Sequence, residues 1–125
     1  AEMAKRVNQL HWQEGPEARR RYVTALLMRL DPRTHVLEAV NAGHNPGFLV
    51  SPGAEPVQIH ASGPPLGLLP NLSYELQQCE IPAGSRMLVY TDGLTEVFRG
   101  DEQFGEERLL ETLRGLREET SAGVL

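Results

Sequence analysis

Turn-forming residues divide the middle of this chain into many short apolar segments. The 125 residues include 12 Gly and 9 Pro, and these lie between the apolar runs rather than in one tract. Pro lacks an N–H donor and Gly readily adopts positive φ, so both interrupt regular structure. The spacing therefore predicts a series of short elements joined by turns.

Hydrophobic periodicity assigns a type to each element. Met3, Val7 and Leu10 recur at helical spacing, which predicts a helix over residues 2–14 that stops at Gly15-Pro16. A second amphipathic helix is predicted from Glu106 and ends at Ser121-Ala122-Gly123; its apolar stripe is Leu109, Leu110, Leu113 and Leu116. Six strands are predicted between them, over residues 22–30, 36–42, 47–51, 57–60, 73–81 and 86–91.

The turns between these strands predict the fold class. Asp31-Pro32-Arg33-Thr34 has type I turn chemistry, so the first two strands should form a hairpin. Pro82-Ala83-Gly84 is the predicted turn between the last two strands. Successive strands joined by short turns imply antiparallel pairing, and helices at the ends of such sheets indicate a layered α+β domain.

Composition excludes several classes of function. The net charge is −5, from 12 basic and 17 acidic residues, so no basic face for nucleic acid is expected. No stretch reaches the ~20 apolar residues of a membrane span, and no apolar run follows the N-terminus as in a signal peptide. Cys79 is the only cysteine, which favours a reducing compartment. We expect a cytoplasmic protein.

Asp92 carries the sharpest chemical pattern in the chain. An apolar segment, Leu88-Val89-Tyr90-Thr91, leads directly into Asp92-Gly93. A carboxylate at a strand tip is well placed for a hard cation, because rigid backbone aims it and the glycine lets the chain turn away. Asp-Gly is also common in ordinary turns, so the alternative is that Asp92 only caps the next turn.

The segment Asn41-Ala42-Gly43-His44-Asn45-Pro46 is a second candidate, at the end of another predicted strand. Its asparagines and His44 could contact a phosphate or a metal-bound water, or the asparagines could bond local backbone in a tight turn. A third segment, residues 63–67, combines glycines with Pro64 and Pro65 and cannot form regular structure. It is a plain loop or a place where backbone approaches a ligand.

Six segments, taken in order, resemble one family: the SpoIIE/RsbU-type phosphatases of bacteria, a branch of the metal-dependent PPM serine/threonine phosphatases. The resemblance runs from about residue 3 to about residue 116. The segments are Tyr22-Val23-Thr24-Ala25-Leu26, Leu30-Asp31-Pro32, Asn41-Ala42-Gly43-His44-Asn45-Pro46, Pro65-Leu66-Gly67, Tyr90-Thr91-Asp92-Gly93-Leu94-Thr95-Glu96 and Phe104-Gly105.

The resemblance implies a fold, a chemistry and a set of site residues. The fold would be an antiparallel β-sandwich flanked by helices (αββα). The chemistry would be hydrolysis of phosphoserine or phosphothreonine by water bound to two Mn²⁺ or Mg²⁺ ions, since metals lower the pKa of bound water. Asp92 matches the aspartate of the family's Thr-Asp-Gly motif and would be a metal ligand. Asn41, Gly43, His44 and Gly93 would lie beside the site or face the substrate.

The same resemblance implies partners and an incomplete domain. Substrates in this branch are often phosphorylated anti-sigma-factor antagonists. The family's other metal motifs should precede residue 1 and follow residue 125, so residues 1–125 are interpreted as a partial domain. Only Asp31, Asp92 and Asp101 are aspartates, and only Asp92 matches a ligand. We therefore expect the parent protein to be a phosphatase and this chain alone to be inactive, with unpaired sheet edges that favour homo-oligomers.

An alternative belongs to a different functional class. A degenerate phosphatase fold without catalysis would act as a regulatory module that binds a signalling partner. Retention of Asp92 argues against complete degeneration. Metal motifs elsewhere in the natural protein would decide between the two hypotheses.

Overall fold

The computed structural model describes residues 1–116 of the chain, which form two compact units. The first unit contains residues 1–44 and 60–80, and the second contains residues 45–59 and 81–116. Each unit has its own antiparallel sheet and its own hydrophobic core.

The first unit combines two helices with a sheet of three strands in the order β1-β2-β5. Its first helix ends one residue before the predicted end, and Pro16 begins a second, short helix that the sequence analysis missed. Pro suits a first helical position, where its missing N–H has no helical partner to bond. The elements are α1 (Glu2–Gln13), α2 (Pro16–Arg19), β1 (Ala25–Asp31), β2 (Val36–Ala42) and β5 (Gln77–Glu80).

The predicted hairpin of β1 and β2 is confirmed, with seven residue pairs from Ala25↔Ala42 to Asp31↔Val36. Its loop differs from the predicted four-residue turn. The His35 N–H donates to the Asp31 carbonyl at 2.9 Å, and His35 has φ 57°. The Asp31 carboxylate accepts the Arg33 N–H at 2.8 Å, which is the local bonding that makes Asp favourable at a turn.

The core of the first unit lies around α1 and β2. Its buried members are Ala4, Val40, Ala42, Leu66 and Tyr74. Buried Asn8 joins α1 to a later segment of the same unit. Its amide donates to the Leu69 carbonyl at 2.9 Å, and its Oδ1 accepts the Gly67 N–H at 2.7 Å. These bonds satisfy polar groups that would be costly to bury alone.

The apolar residues that predicted α1 are not the ones it buries. Met3 is 70% exposed and Leu10 is 55% exposed, whereas Ala4 and Asn8 are buried. The helix is confirmed, and its buried side is formed by Ala4 and Asn8 instead of by the apolar residues of its periodic pattern. Packing of Ala4 and the bonds of Asn8 set its orientation instead.

Tyr74 should make stability depend on alkaline pH. Its buried phenol donates to the Pro64 carbonyl at 2.9 Å, and burial raises its pKa above the ordinary value of 10.0. As pH rises above that value the unfolded chain ionises first, so stability is lost as pH rises through the folded-state pKa. Tyr74→Phe should lower the free energy of unfolding at pH 7 by about 1 kcal/mol and flatten its decline above pH 10.

Urea unfolding of both proteins at several pH values between 8 and about 11.5 measures this slope. The remaining alkaline groups, including Cys79 and Tyr90, are present in both proteins and cancel in the comparison. Parallel declines in the two proteins would contradict the assignment to Tyr74.

The second unit contains a sheet of three strands in the order β4-β3-β6, a separate two-stranded hairpin and two helices. The hairpin lies in a segment for which no strand was predicted. The elements are β3 (Gly47–Val50), β4 (Val57–Ile59), β6 (Arg86–Leu88), α3 (Asp92–Thr95), β7 (Phe98–Arg99), β8 (Glu102–Gln103) and α4 (Gly105–Leu116).

Helix α4 packs its predicted leucine stripe into the core of this unit. Leu109 and Leu113 are buried with Phe48, Val50 and Tyr90. The rings of Phe48 and Tyr90 are stacked with centroids 6.1 Å apart. The predicted end of the helix, residues 121–123, lies outside the described residues.

Five of the six predicted strands extend beyond the ladders that form. Those predicted over residues 47–51 and 57–60 each end one residue too late. The prediction for residues 22–30 begins too early, because before Ala25 only Val23 pairs, and it pairs with Leu66 of the segment predicted to be irregular. The prediction for residues 73–81 shortens to β5, since β2 offers partners only for Gln77–Glu80. The prediction for residues 86–91 shortens to β6, because β3 pairs only with Arg86–Leu88.

The predicted class, α+β with antiparallel sheets and helices at the ends, is confirmed within residues 1–116. The turn at residues 82–84 does not close a hairpin, because β5 and β6 belong to different sheets. None of the described helices has the length and apolar character needed to cross a membrane.

Candidate functional site

Asp92 begins the single-turn helix α3 instead of standing at a strand tip. Strand β6 ends at Leu88, and Thr91 is the extended residue that precedes the helix, with φ −112° and ψ 169°. The Asp92 carbonyl accepts the Glu96 N–H at 2.8 Å. An acidic side chain is favourable in the first turn of a helix, where N–H groups lack partners. The predicted strand-tip position is therefore wrong. The Asp92 side chain is exposed.

Gly93 does not provide the turn that was predicted for it. It lies inside α3 and is not among the glycines with positive φ. A Cβ at this position would meet only the Thr91 hydroxyl oxygen, at an ordinary 3.6 Å. Gly93 is therefore not needed for a sharp turn, and its place beside the site stays a prediction.

Asn45 and Asp92 lie together, although 47 positions separate them in sequence. The Asn45 side-chain amide donates to Asp92 Oδ1 at 2.8 Å. Asn45 stands two residues before β3, and Asp92 follows β6, which pairs with β3. The sheet of the second unit thus brings one residue of the Asn41–Pro46 segment to the Asp92-Gly93 motif.

Tyr90 lies two residues before Asp92 and belongs to the core of the second unit. Tyr90 is buried, and its hydroxyl donates to Glu106 Oε1 at 3.4 Å. Burial, then the charge and hydrogen bond of Glu106, then the charge of Asp92 raise the pKa of Tyr90 to about 12. The phenol is therefore neutral over the physiological range and acts as a donor. Sequence reasoning missed this link, because it used Glu106 only as the start of a predicted helix.

The other predicted site residues belong to the first unit. Asn41 is fully buried, and its Oδ1 accepts the backbone N–H of His44 at 2.8 Å. Its carbonyl accepts the Ser62 N–H, also at 2.8 Å. The interpretation of Asn41 as a residue that bonds local backbone is confirmed. His44 is partly buried, and its role toward a ligand stays a prediction.

Gly43 has a structural reason to be glycine. Its φ is +66°, and a Cβ would lie 2.6 Å from Pro65 Cδ and 2.7 Å from the Pro65 nitrogen. Both the backbone conformation and the space exclude a larger residue. Residues 41–44 and 63–67 are thus packed together in the first unit, where the bridges Ala25↔Gly43 and Ala42↔Gly63 also form.

Asp92 and Asn45 have the chemistry of part of a divalent-metal site. Asp92 supplies a carboxylate and Asn45 an amide, and oxygen atoms of these groups are ligands that Mg²⁺ and Mn²⁺ prefer. Within residues 1–116, no group of three or more His, Cys, Asp or Glu side chains could hold a metal ion. Because Mg²⁺ demands near-octahedral coordination, the remaining ligands of a complete site would be waters and other protein groups.

The sequence of this chain is similar to that of known proteins. A family model described as Stage II sporulation protein E (SpoIIE) matches residues 1–125. Protein IcfG of Synechocystis sp. is 33% identical over 78 residues, which are 62% of this chain and 12% of that protein. Phosphoserine phosphatase RsbP of Bacillus subtilis is 29% identical over 83 residues, 66% of this chain and 21% of that protein. The chain thus spans a small part of these two relatives.

Two solved structures share the fold. The RsbU and RsbW domains of Rv1364c from Mycobacterium tuberculosis align with a TM-score of 0.63 at 20% identity, covering 92% of this chain and 36% of that one. RsbX in complex with magnesium aligns with a TM-score of 0.60 at 20% identity, covering 91% of this chain and 57% of that one. At this identity the likeness establishes the fold alone.

Proposed function

The chain belongs to the SpoIIE family, the PPM-type phosphatase family that its motif order predicted, and from that premise we propose that the natural protein hydrolyses phosphoserine or phosphothreonine on a signalling protein. The observation that carries the proposal is the Asn45–Asp92 pair, which joins two of the family-like motifs at 2.8 Å. When bound, a divalent metal pair would supply an acidified water and stabilise displacement at phosphorus.

The proposal assigns a part to each described residue. Asp92 would hold metal through its exposed carboxylate, beside the Asn45 amide. Asn41 and Gly43 would shape the backbone of the Asn41–Pro46 segment, and His44 would stand beside the substrate. The magnesium in the RsbX structure supports a divalent metal, either Mg²⁺ or Mn²⁺.

The substrate class is proposed from the relatives. RsbP is named a phosphoserine phosphatase, which supports phosphoserine as the group that is cleaved. A phosphorylated anti-sigma-factor antagonist is the substrate that we propose within this class. The residues of this chain alone supply one candidate carboxylate ligand, so we propose that the chain is inactive without the rest of its protein.

Phosphate release from a phosphoserine peptide tests the activity. The full-length protein should release phosphate with Mn²⁺ or Mg²⁺, stop when EDTA removes the metal, and leave a matched phosphotyrosine peptide intact. The isolated 125-residue chain should release none. Metal-dependent release by the isolated chain would contradict the single-ligand argument. A full-length protein that releases none under any of these conditions would favour the non-catalytic binding module.

A further inference from the structure

The segments that carry Asn45 and Asp92 are linked by aromatic packing in the core of the second unit. Phe48 lies three residues after Asn45, and Tyr90 lies two residues before Asp92. Their rings are stacked at 6.1 Å, and both side chains are buried. The two backbone segments that carry Asn45 and Asp92 are therefore held side by side by packed aromatic residues, which have few alternative rotamers in a close-packed core.

Asn45 is also restrained along its own backbone. Pro46 follows it, and a residue before proline is confined to extended conformations. Strand β3 then begins at Gly47 and is buried along its length. Asn45 thus presents its amide from a stiff segment, whereas Asp92 is an exposed side chain in a helix of a single turn.

These contacts indicate which residue of the pair orients the other: Asn45 is held in place and Asp92 is not. An exposed carboxylate rotates among several side-chain conformations, and ordering it costs entropy when a cation binds. The bond from Asn45 engages Oδ1 and leaves Oδ2 for another partner. A donor to one oxygen of a ligating carboxylate is the usual outer support of a metal site, where it orients the ligand before the metal arrives.

We propose that Asn45 is a positioning residue for Asp92: its amide pre-orients the carboxylate so that Asp92 binds a divalent cation more tightly. This inference rests on the proposed function, because it assumes that Asp92 is a metal ligand. It goes further by giving Asn45 a role that acts through Asp92 and does not involve the substrate. Asn45→Ala should therefore weaken metal binding without any requirement for catalysis.

The test is Mn²⁺ binding to the full-length protein by isothermal titration calorimetry, without substrate. Asn45→Ala should raise the Mn²⁺ Kd by about 10- to 100-fold, the range typical of lost outer-shell support. Asn71→Ala, at an exposed asparagine of the first unit, is the matched control and should leave the Kd unchanged. Thermal unfolding of each metal-free protein shows whether the substitution only damages the fold.

A double-mutant cycle separates positioning from a general structural role. In the Asp92→Asn background, adding Asn45→Ala should change the Mn²⁺ Kd by less than about 2-fold, because there is no longer a carboxylate for Asn45 to orient. Equal Mn²⁺ affinity of wild type and Asn45→Ala overturns this inference and leaves the proposed function standing. Additive effects in the cycle also overturn it. A wild-type protein that binds no Mn²⁺ overturns the proposed function itself.

Discussion

Asp92→Asn is expected to lower the Mn²⁺-dependent phosphatase activity of the full-length protein by at least about 100-fold, since even outer-shell substitutions at metal sites cost ~10- to 100-fold. The substitution keeps the size of the side chain, and the new amide can still accept the Asn45 hydrogen bond through Oδ1. What it removes is the negative charge that attracts the cation. The measurement is initial rate against a phosphoserine peptide over a range of Mn²⁺ concentrations.

Asp101→Asn is the matched control for this prediction. Asp101 is exposed in the turn between β7 and β8, outside the proposed site, and the chemical change is the same. Its activity should equal that of the wild type, and both variants should unfold at the wild-type temperature. A comparable loss in both variants would show that net charge, and not a ligand at position 92, controls the activity.

Gly43→Ala is expected to destabilise the first unit strongly. The left-handed conformation costs an L-residue roughly 1 to 2 kcal/mol, and overpacking a close contact typically costs about 1 to 3 kcal/mol more. The clash is with Pro65, including its backbone nitrogen, so rotation of a side chain cannot relieve it. We expect the free energy of unfolding to fall by about 2 to 5 kcal/mol, a large share of a typical total of about 5 to 15 kcal/mol.

Gly100→Ala isolates the steric part of that loss. Gly100 has φ +67°, close to the +66° of Gly43, but nothing lies within 4 Å of a Cβ placed there. Urea unfolding should give a loss of only about 1 to 2 kcal/mol for Gly100→Ala. Equal losses at the two positions would mean that Pro65 moves aside and that backbone conformation alone accounts for the effect.

The elements best predicted from sequence are those with strong local patterns. The hairpin of β1 and β2 has alternating residues and an Asp-Pro turn, and β2 forms with its predicted bounds. The stripe of Leu109 and Leu113 is buried as predicted. The hairpin of β7 and β8 was not predicted, because each strand has only two residues and no apolar alternation to detect.

The candidate site was predicted only in part. Asp92 was selected from its motif, and the structure adds its partner Asn45 and the neighbouring Tyr90 and Glu106. No local pattern could have linked Asn45 to Asp92, because their contact depends on the pairing of β3 with β6. The sequence suggested that the polar residues of this segment contact a phosphate or a metal-bound water, or that its asparagines bond local backbone, without distinguishing Asn41 from Asn45.

The sequence by itself determined the family, the class of antiparallel α+β fold and the identity of Asp92 as the candidate ligand. These depend on residue types at local spacing, and turn chemistry and periodicity act within a few residues. Only the tertiary structure decided where each strand ends, because a strand extends only as far as its neighbour offers partners. It also decided that Asn41 and Asn45 have different partners: Asn41 is buried in a backbone turn, and Asn45 donates to Asp92.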